Sequence, residues 1–255
     1  PLCIQRKTAV GQLEVRMLHF PDDASLGRHI AFELAEIVRK KPDALLCIAA
    51  GTSSYPVFDA VNALVRSGKL DLSKATFFGM DEWCGLPQDA DGAMADFLRK
   101  HFLEEAGFGE VFLFDGMADP VSECTRAEAF LQTHGGFDAI VFGIGVNGHV
   151  ALNEPGVDPA LRTHVADVAP VTAAVAQKYF EHKAPALHRG VTIGIANARE
   201  AAKLYLVANT ANKRNAVENI ERLAVNGTPD STVPASFIAV MPQAEFCVTD
   251  AVFAD

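Results

Sequence analysis

The segment "GIGVNGHVALNEP" (143–155) crowds Asn147, His149, Asn153 and Glu154 behind a glycine turn. An imidazole exchanges protons near neutral pH, and a carboxylate five positions on can orient the ring and fix its tautomer. A lone histidine at a strand end is ordinarily a structural hydrogen-bonder; the amide before His149 and the acid after it favour proton transfer. A second candidate group is "DEW" after the apolar "TFFGM". Asp81 and Glu82 there either both cap the following turn, or at least one emerges from a strand end into desolvated surroundings, where burial strengthens a carboxylate as a base. The third is "AAGTSS" (49–54), in which Gly51, Thr52 and Ser53 would offer backbone N–H groups and hydroxyls to an anion at a helix N-terminus. Lys213 opens another helical stretch, the unfavourable end of the dipole for a cation. It is either solvated or turned toward a bound phosphate.

Gly143, Gly145 and Gly148 spell G-x-G-x-x-G, but the segment is no dinucleotide fingerprint. Pro155 and Gly156 interrupt the helix that the third glycine should open, and "RTHVADVAP" around Asp167 is a poor strand to carry the ribose-binding acid. No G-K-[ST] follows "AAGTSS", so a nucleoside triphosphate is not implied. His149 and Glu154 would be only two metal ligands, with no further His or Cys at ligand spacing, so no metal is expected.

Alternating elements must carry these groups. Asp22 or Asp23 can cap a helix in which Leu26, Ile30, Leu34 and Ile37 recur at helical spacing, with Pro42 ending it. "ALLCIAA" (44–50) reads as a buried strand, followed by a helix over 55–66 and a strand over 75–80. A helix near 92–105, the strand "VFLF", a helix near 121–133 and the strand "DAIVFGI" continue the pattern. Then come the apolar "GVTIGIA" and "KLYLVA", a helix near 211–224, "VPASFIAV" and a last strand "EFCVTD". Such alternation without repeats or linkers predicts one α/β domain over 1–255, a Rossmann-like three-layer α/β/α sandwich with a mostly parallel sheet. Ligands bind such sheets beyond the carboxyl ends of the strands, and the three polar segments all follow strands directly.

Composition narrows the partners. With 49% hydrophobic and 21% charged residues among 255, a sizeable core can be buried. A net charge of −10 argues against a nucleic-acid surface but leaves room for a local cationic pocket. The five cysteines are widely spaced without C-x-x-C, which fits free thiols in a reducing compartment. "PLCIQRKTAV" lacks a leader-like apolar run and no stretch approaches a membrane span, so a cytoplasmic protein is expected.

"FFGMDEWCGLP", "GIGVNGHVALNEPG", "LRTHV", "GVTIGIANAREA" and "VPASFI" together resemble the glucosamine-6-phosphate deaminase (isomerase) family, including its galactosamine-6-phosphate members. The resemblance runs in register from about 25 to 250, and the paired M-D-E-x-x-x-L-P and N-G-H-x-x-x-N-E-P motifs make it specific. It implies that Asp81 moves a proton between C2 and C1 of the open-chain amino sugar. His149, supported by Glu154 and Asn147, would open the pyranose ring. Gly51, Thr52 and Ser53 would cradle the 6-phosphate with Lys213 as counter-charge, and Lys178 falls where many members carry an arginine for the same phosphate. Gly143 is counted with the substrate-contacting residues. The reaction needs no cofactor, its partner is a small phosphosugar, and homo-oligomerisation is left open.

The chain departs from the family pattern near the substrate. Asn147 stands where some members have Asp, Lys178 gives up bidentate phosphate recognition, "GTSS" replaces T-G-G-T-P or T-G-A-T-P, and Ala93–Met94 replace a common Ser-Tyr pair. Some members are activated allosterically through basic residues near 164 and 166; His164 and Ala166 predict no such activation. A 6-phosphogluconolactonase-like hydrolase is the nearest rival, but Trp83 replaces the arginine of its D-E-R motif and Glu154 has no place in its D-G-H-T-A-S-L-F-P. A catalytically weak sugar-phosphate-binding regulator is the rival from another class.

Overall fold

The structure is a computed structural model that describes residues 2–5, 16–181, 185–226 and 228–254. Residues 1 and 6–10 of the opening segment read for leader character, and the side chain of Cys3, lie outside what is described. The described residues form eleven strands: β1 (Leu2–Gln5), β2 (Arg16–Phe20), β3 (Leu45–Ile48), β4 (Thr76–Phe78), β5 (Asp81–Trp83), β6 (Glu110–Phe112), β7 (Ala139–Gly143), β8 (His164–Asp167), β9 (Arg189–Thr192), β10 (Leu204–Ala208) and β11 (Ala244–Thr249). Eight form one sheet in the order β1-β2-β11-β10-β7-β3-β4-β6. All its pairings are parallel except β1 with β2.

The central strands are apolar without a break because both of their faces are covered. Strand alternation deals their side chains to two cores. Leu45, Cys47, Ile140, Phe142, Leu204 and Leu206 point to one core, and Leu46, Ile48, Val141, Tyr205 and Val207 to the other. Helices Asp23–Lys40 and Tyr55–Arg66 cover the second with Leu26, Ile30, Val57 and Phe58. Helices Pro120–His134 and Arg214–Val225 cover the first with Leu131, Val217 and Ile220. The fold is the expected three-layer α/β/α sandwich.

Local signals act where the sequence placed them. The Asp22 carboxylate accepts the Ser25 N–H at 2.7 Å and caps the first helix. That helix ends at Lys40, with Lys41 N–H on the Ile37 carbonyl just before Pro42. Other readings need correction. "RTHVADVAP", read as a poor strand, contains β8, paired antiparallel with β9 in a small second sheet of order β5-β9-β8. Only Ala166 of its four residues is buried, so no apolar run announces it. "GVTIGIA" divides between β9 and the helix Ile195–Glu200, and "VPASFIAV" contains the helix Ala235–Ala239.

The order of strands sets the site. From β3 the chain moves outward through β4 to β6, then returns to β7 on the other side of β3 and moves outward again to β10 and β11. The connections after β3 and β7 therefore part in opposite directions and leave a crevice at the carboxyl ends of these strands, where such sheets bind ligands.

Candidate active site

A cavity of about 200 Å³ opens at this crevice, lined by the loop after β3 (Gly51, Thr52, Ser53), by Asp81, by Gly143 and His149 after β7, and by Lys178 and Lys213. All three polar segments thus meet in one place. Asn147 and Glu154 stand behind the wall, Asn147 bonded to His149 and Glu154 to Asn147.

Asp81 and Glu82 are consecutive in β5 and point to opposite sides of it. Asp81 faces the cavity with Trp83, 9% exposed, and no hydrogen bond to its carboxylate is present among the described residues. Burial, with a smaller contribution from the charge of Glu82, pushes its carboxyl up to about 8. Glu82 turns away and accepts the backbone N–H groups of Trp83 (2.9 Å), Met94 (3.0 Å) and Ala95 (2.8 Å). It holds the start of the helix Met94–Leu98. Burial raises its carboxyl to about 7 against the lowering effect of those three N–H donors.

His149 sits at the end of a relay. The Asn147 amide N–H donates to Glu154 Oε2 at 2.8 Å, so the amide oxygen is turned to His149 Nδ1 at 2.7 Å. An amide oxygen only accepts, which assigns the ring proton to Nδ1 and leaves Nε2 as the free lone pair. Thr172 Oγ1 lies 3.2 Å from the same Nδ1. The direct Glu154–Nδ1 separation is 3.6 Å, so the carboxylate acts on the ring through the amide rather than by touching it. Burial lowers the imidazole pKa; Glu154 opposes and Lys213 reinforces that shift.

The glycines serve this histidine. A Cβ on Gly145 would lie 2.2 Å from His149 Cε1, so only a bare backbone lets the ring lie where it does. Gly148 closes the turn at φ +84°, with its N–H on the Gly145 carbonyl at 3.0 Å.

The two-lysine end of the cavity is built on the 3₁₀ turn Thr52–Ser54 that leads into Tyr55–Arg66. Lys178 Nζ donates to Thr52 Oγ1 at 3.2 Å, and Lys213 Nζ donates to Ser53 Oγ. Burial and the charge of Lys178 bring the Lys213 ammonium down to about 8, with Asp23 opposing. Sequence reasoning missed Thr172 and Tyr179. Tyr179 is the immediate neighbour of Lys178, which is the only signal that could have flagged it. At the other end of the sheet, His29, Glu245 and Cys247 lie close enough to share an ion, but Glu245 is already paired with Arg16, Lys203 and His29.

A buried carboxylate and a histidine facing a two-lysine loop across the switch point of an α/β/α sandwich make a site suited to a small anionic ligand. The chain belongs to the family described as glucosamine-6-phosphate isomerases/6-phosphogluconolactonase, whose sequence model matches residues 23–247. It is 32% identical over 260 residues to glucosamine-6-phosphate deaminase 2 of Giardia intestinalis, covering 100% of this chain and 97% of that one. It is 32% identical to glucosamine-6-phosphate deaminase of Rhodopirellula baltica, covering 91% and 92%. Among solved structures it superposes on a monomeric glucosamine-6-phosphate deaminase with a TM-score of 0.86 at 24% identity, over 93% of this chain and 98% of that one. The 6-phosphogluconolactonase of Trypanosoma cruzi superposes less closely, with a TM-score of 0.71 at 16% identity over 97% and 98%. These two likenesses speak for the fold. No helix among the described residues is long and apolar enough to cross a membrane.

Proposed function

We propose that the protein converts a 2-amino-2-deoxyhexose 6-phosphate, glucosamine or galactosamine 6-phosphate, to a ketohexose 6-phosphate and ammonia without a cofactor. The observation that carries this reading is the unpaired, buried Asp81 carboxylate sharing one cavity with His149 and a two-lysine anion loop. His149 Nε2 takes the proton of the C1 hydroxyl and returns one to the ring oxygen as the pyranose opens. Asp81 removes the C2 proton of the open-chain aldose as the C1 oxygen takes up a proton, giving an enolamine, and then delivers the proton to C1 as the nitrogen releases one. The resulting C2 imine adds water and expels ammonia. Thr52, Ser53, Lys178 and Lys213 hold the remote phosphate, and that binding keeps C1 and C2 against Asp81.

Asn147 in place of an aspartate does not leave the histidine without a charge, because Glu154 supplies one at the next position of the relay. This supports turnover rather than mere binding. The lactonase reading has less support, since its relatives share only the fold.

The test is ammonia release from glucosamine 6-phosphate and galactosamine 6-phosphate side by side. The wild type should release ammonia from at least one, and Asp81→Asn should be slower by about a hundredfold or more. No release from either sugar by folded protein overturns the reading, and full activity in Asp81→Asn overturns the role of Asp81. The same assay identifies the preferred epimer.

A further inference from the structure

The anion loop carries one contact that the lysines do not explain. The Thr52 backbone N–H, the group a phosphate oxygen would be expected to meet, donates to the Tyr179 hydroxyl at 3.1 Å. The hydroxyl lies against the loop itself: a Cβ on Gly51 would sit 3.2 Å from it. The ring is held in place by an edge contact with Phe97, centroids 5.4 Å apart at 79°, and by Lys178 Nζ 4.9 Å from its centroid. A phenol that accepts an N–H still has its own proton to give. Among the described residues nothing accepts it, although Tyr179 lines the cavity beside Thr52, Lys178 and Lys213. Its two recorded polar neighbours are the Thr52 amide, a donor, and the Lys178 ammonium, a cation, so an acceptor that fits between them is an anion with several oxygens.

We infer that Tyr179 is a phosphate-binding residue of this site, donating its hydroxyl proton to the ligand's phosphate while its oxygen fixes the Thr52 amide. The inference rests on the phosphosugar reading above for the identity of the ligand, but not for the anion chemistry. It also gives a physical reason why a lysine suffices at 178. An ammonium is a point charge without the fork of a guanidinium, and the adjacent phenol adds the directional second donor.

The experiment compares wild type with Tyr179→Phe, which keeps the ring and deletes only the hydroxyl. Dissociation constants are measured by calorimetry for inorganic phosphate, glucosamine 6-phosphate and, as the phosphate-free control, glucosamine. KM and kcat for ammonia release are measured alongside. Loss of a hydrogen bond to a charged group should weaken phosphate and the phosphosugar about tenfold, leave glucosamine unchanged, and raise KM more than it lowers kcat. Adding Lys178→Arg to Tyr179→Phe should restore part of the loss, a recovery that a merely structural tyrosine would not show. Unchanged phosphate affinity in Tyr179→Phe overturns the inference. So does tighter binding, which would mean that the hydroxyl competes with phosphate for the Thr52 amide. A wild type that binds phosphate but releases no ammonia overturns the deaminase reading alone and leaves the phosphate constants to decide on Tyr179. A wild type that binds neither phosphate nor phosphosugar overturns both.

Discussion

Asp81 and Glu82 differ by one position and one methylene, yet one lines the cavity and the other holds a helix start by three backbone N–H groups. The sequence presented them as equivalent, because what separates them is the return of Met94 and Ala95 to β5, a contact made across a loop. Asn147, His149 and Glu154 were legible as a group, but the order of contact was not. The expected carboxylate–imidazole pair has an amide inserted in it. At this scale the chemistry depends on two ionisations. In the proposed role Asp81 must be charged to take the C2 proton, which would favour pH above about 8. As the proposed phosphate ligand, Lys213 must keep its proton, which would favour pH below about 8. After correction for the substrate's own ionisations, kcat/KM should therefore follow a narrow bell with its maximum near pH 8. In Lys213→Arg the cation persists, so the alkaline limb should move to higher pH while the acid limb stays. Pre-steady-state and steady-state pH profiles of the two proteins provide the check.

Among the elements, the connection from β7 to the relay is the one whose backbone the site cannot vary. Its glycine pattern was visible in the sequence, but its purpose was hidden until the His149 ring was seen over Gly145. Gly145→Ala is expected to leave the fold intact, since residue 145 does not adopt a positive φ, and to push the ring off its relay. Turnover should fall by about a hundredfold, the size of a lost general acid–base group. Circular dichroism against ammonia release separates the two effects. Long apolar elements such as β3, β7 and β10 were readable because both faces are buried. β8 was not, because pairing with β9 in a small sheet needs backbone hydrogen bonds more than apolar side chains.

For the molecule as a whole, a buried base has a thermodynamic consequence. The Asp81 carboxyl is raised in the folded state, so its neutral form stabilises the fold at pH below the unfolded value of about 4. That contribution is progressively lost as pH rises through about 8. Asp81→Asn, neutral at every pH, should therefore melt higher than wild type at pH 9, by about 5 °C, and the gap should close below pH 4. Thermal melts across pH provide the check, and a gap that fails to close in acid would exclude ionisation as its source. In the proposed role of Asp81, stability and catalysis make opposite demands on this one side chain.

The anion end of the cavity joins parts of the chain that are far apart in sequence: Lys178 reaches Thr52 across 126 positions and Lys213 reaches Ser53 across 160. On the proposed function, a phosphosugar seated there would act as a removable cross-link between the first quarter of the polypeptide and its later half. Occupancy would then resist unravelling from either side at once, so the ligand would protect the protein as well as engage it.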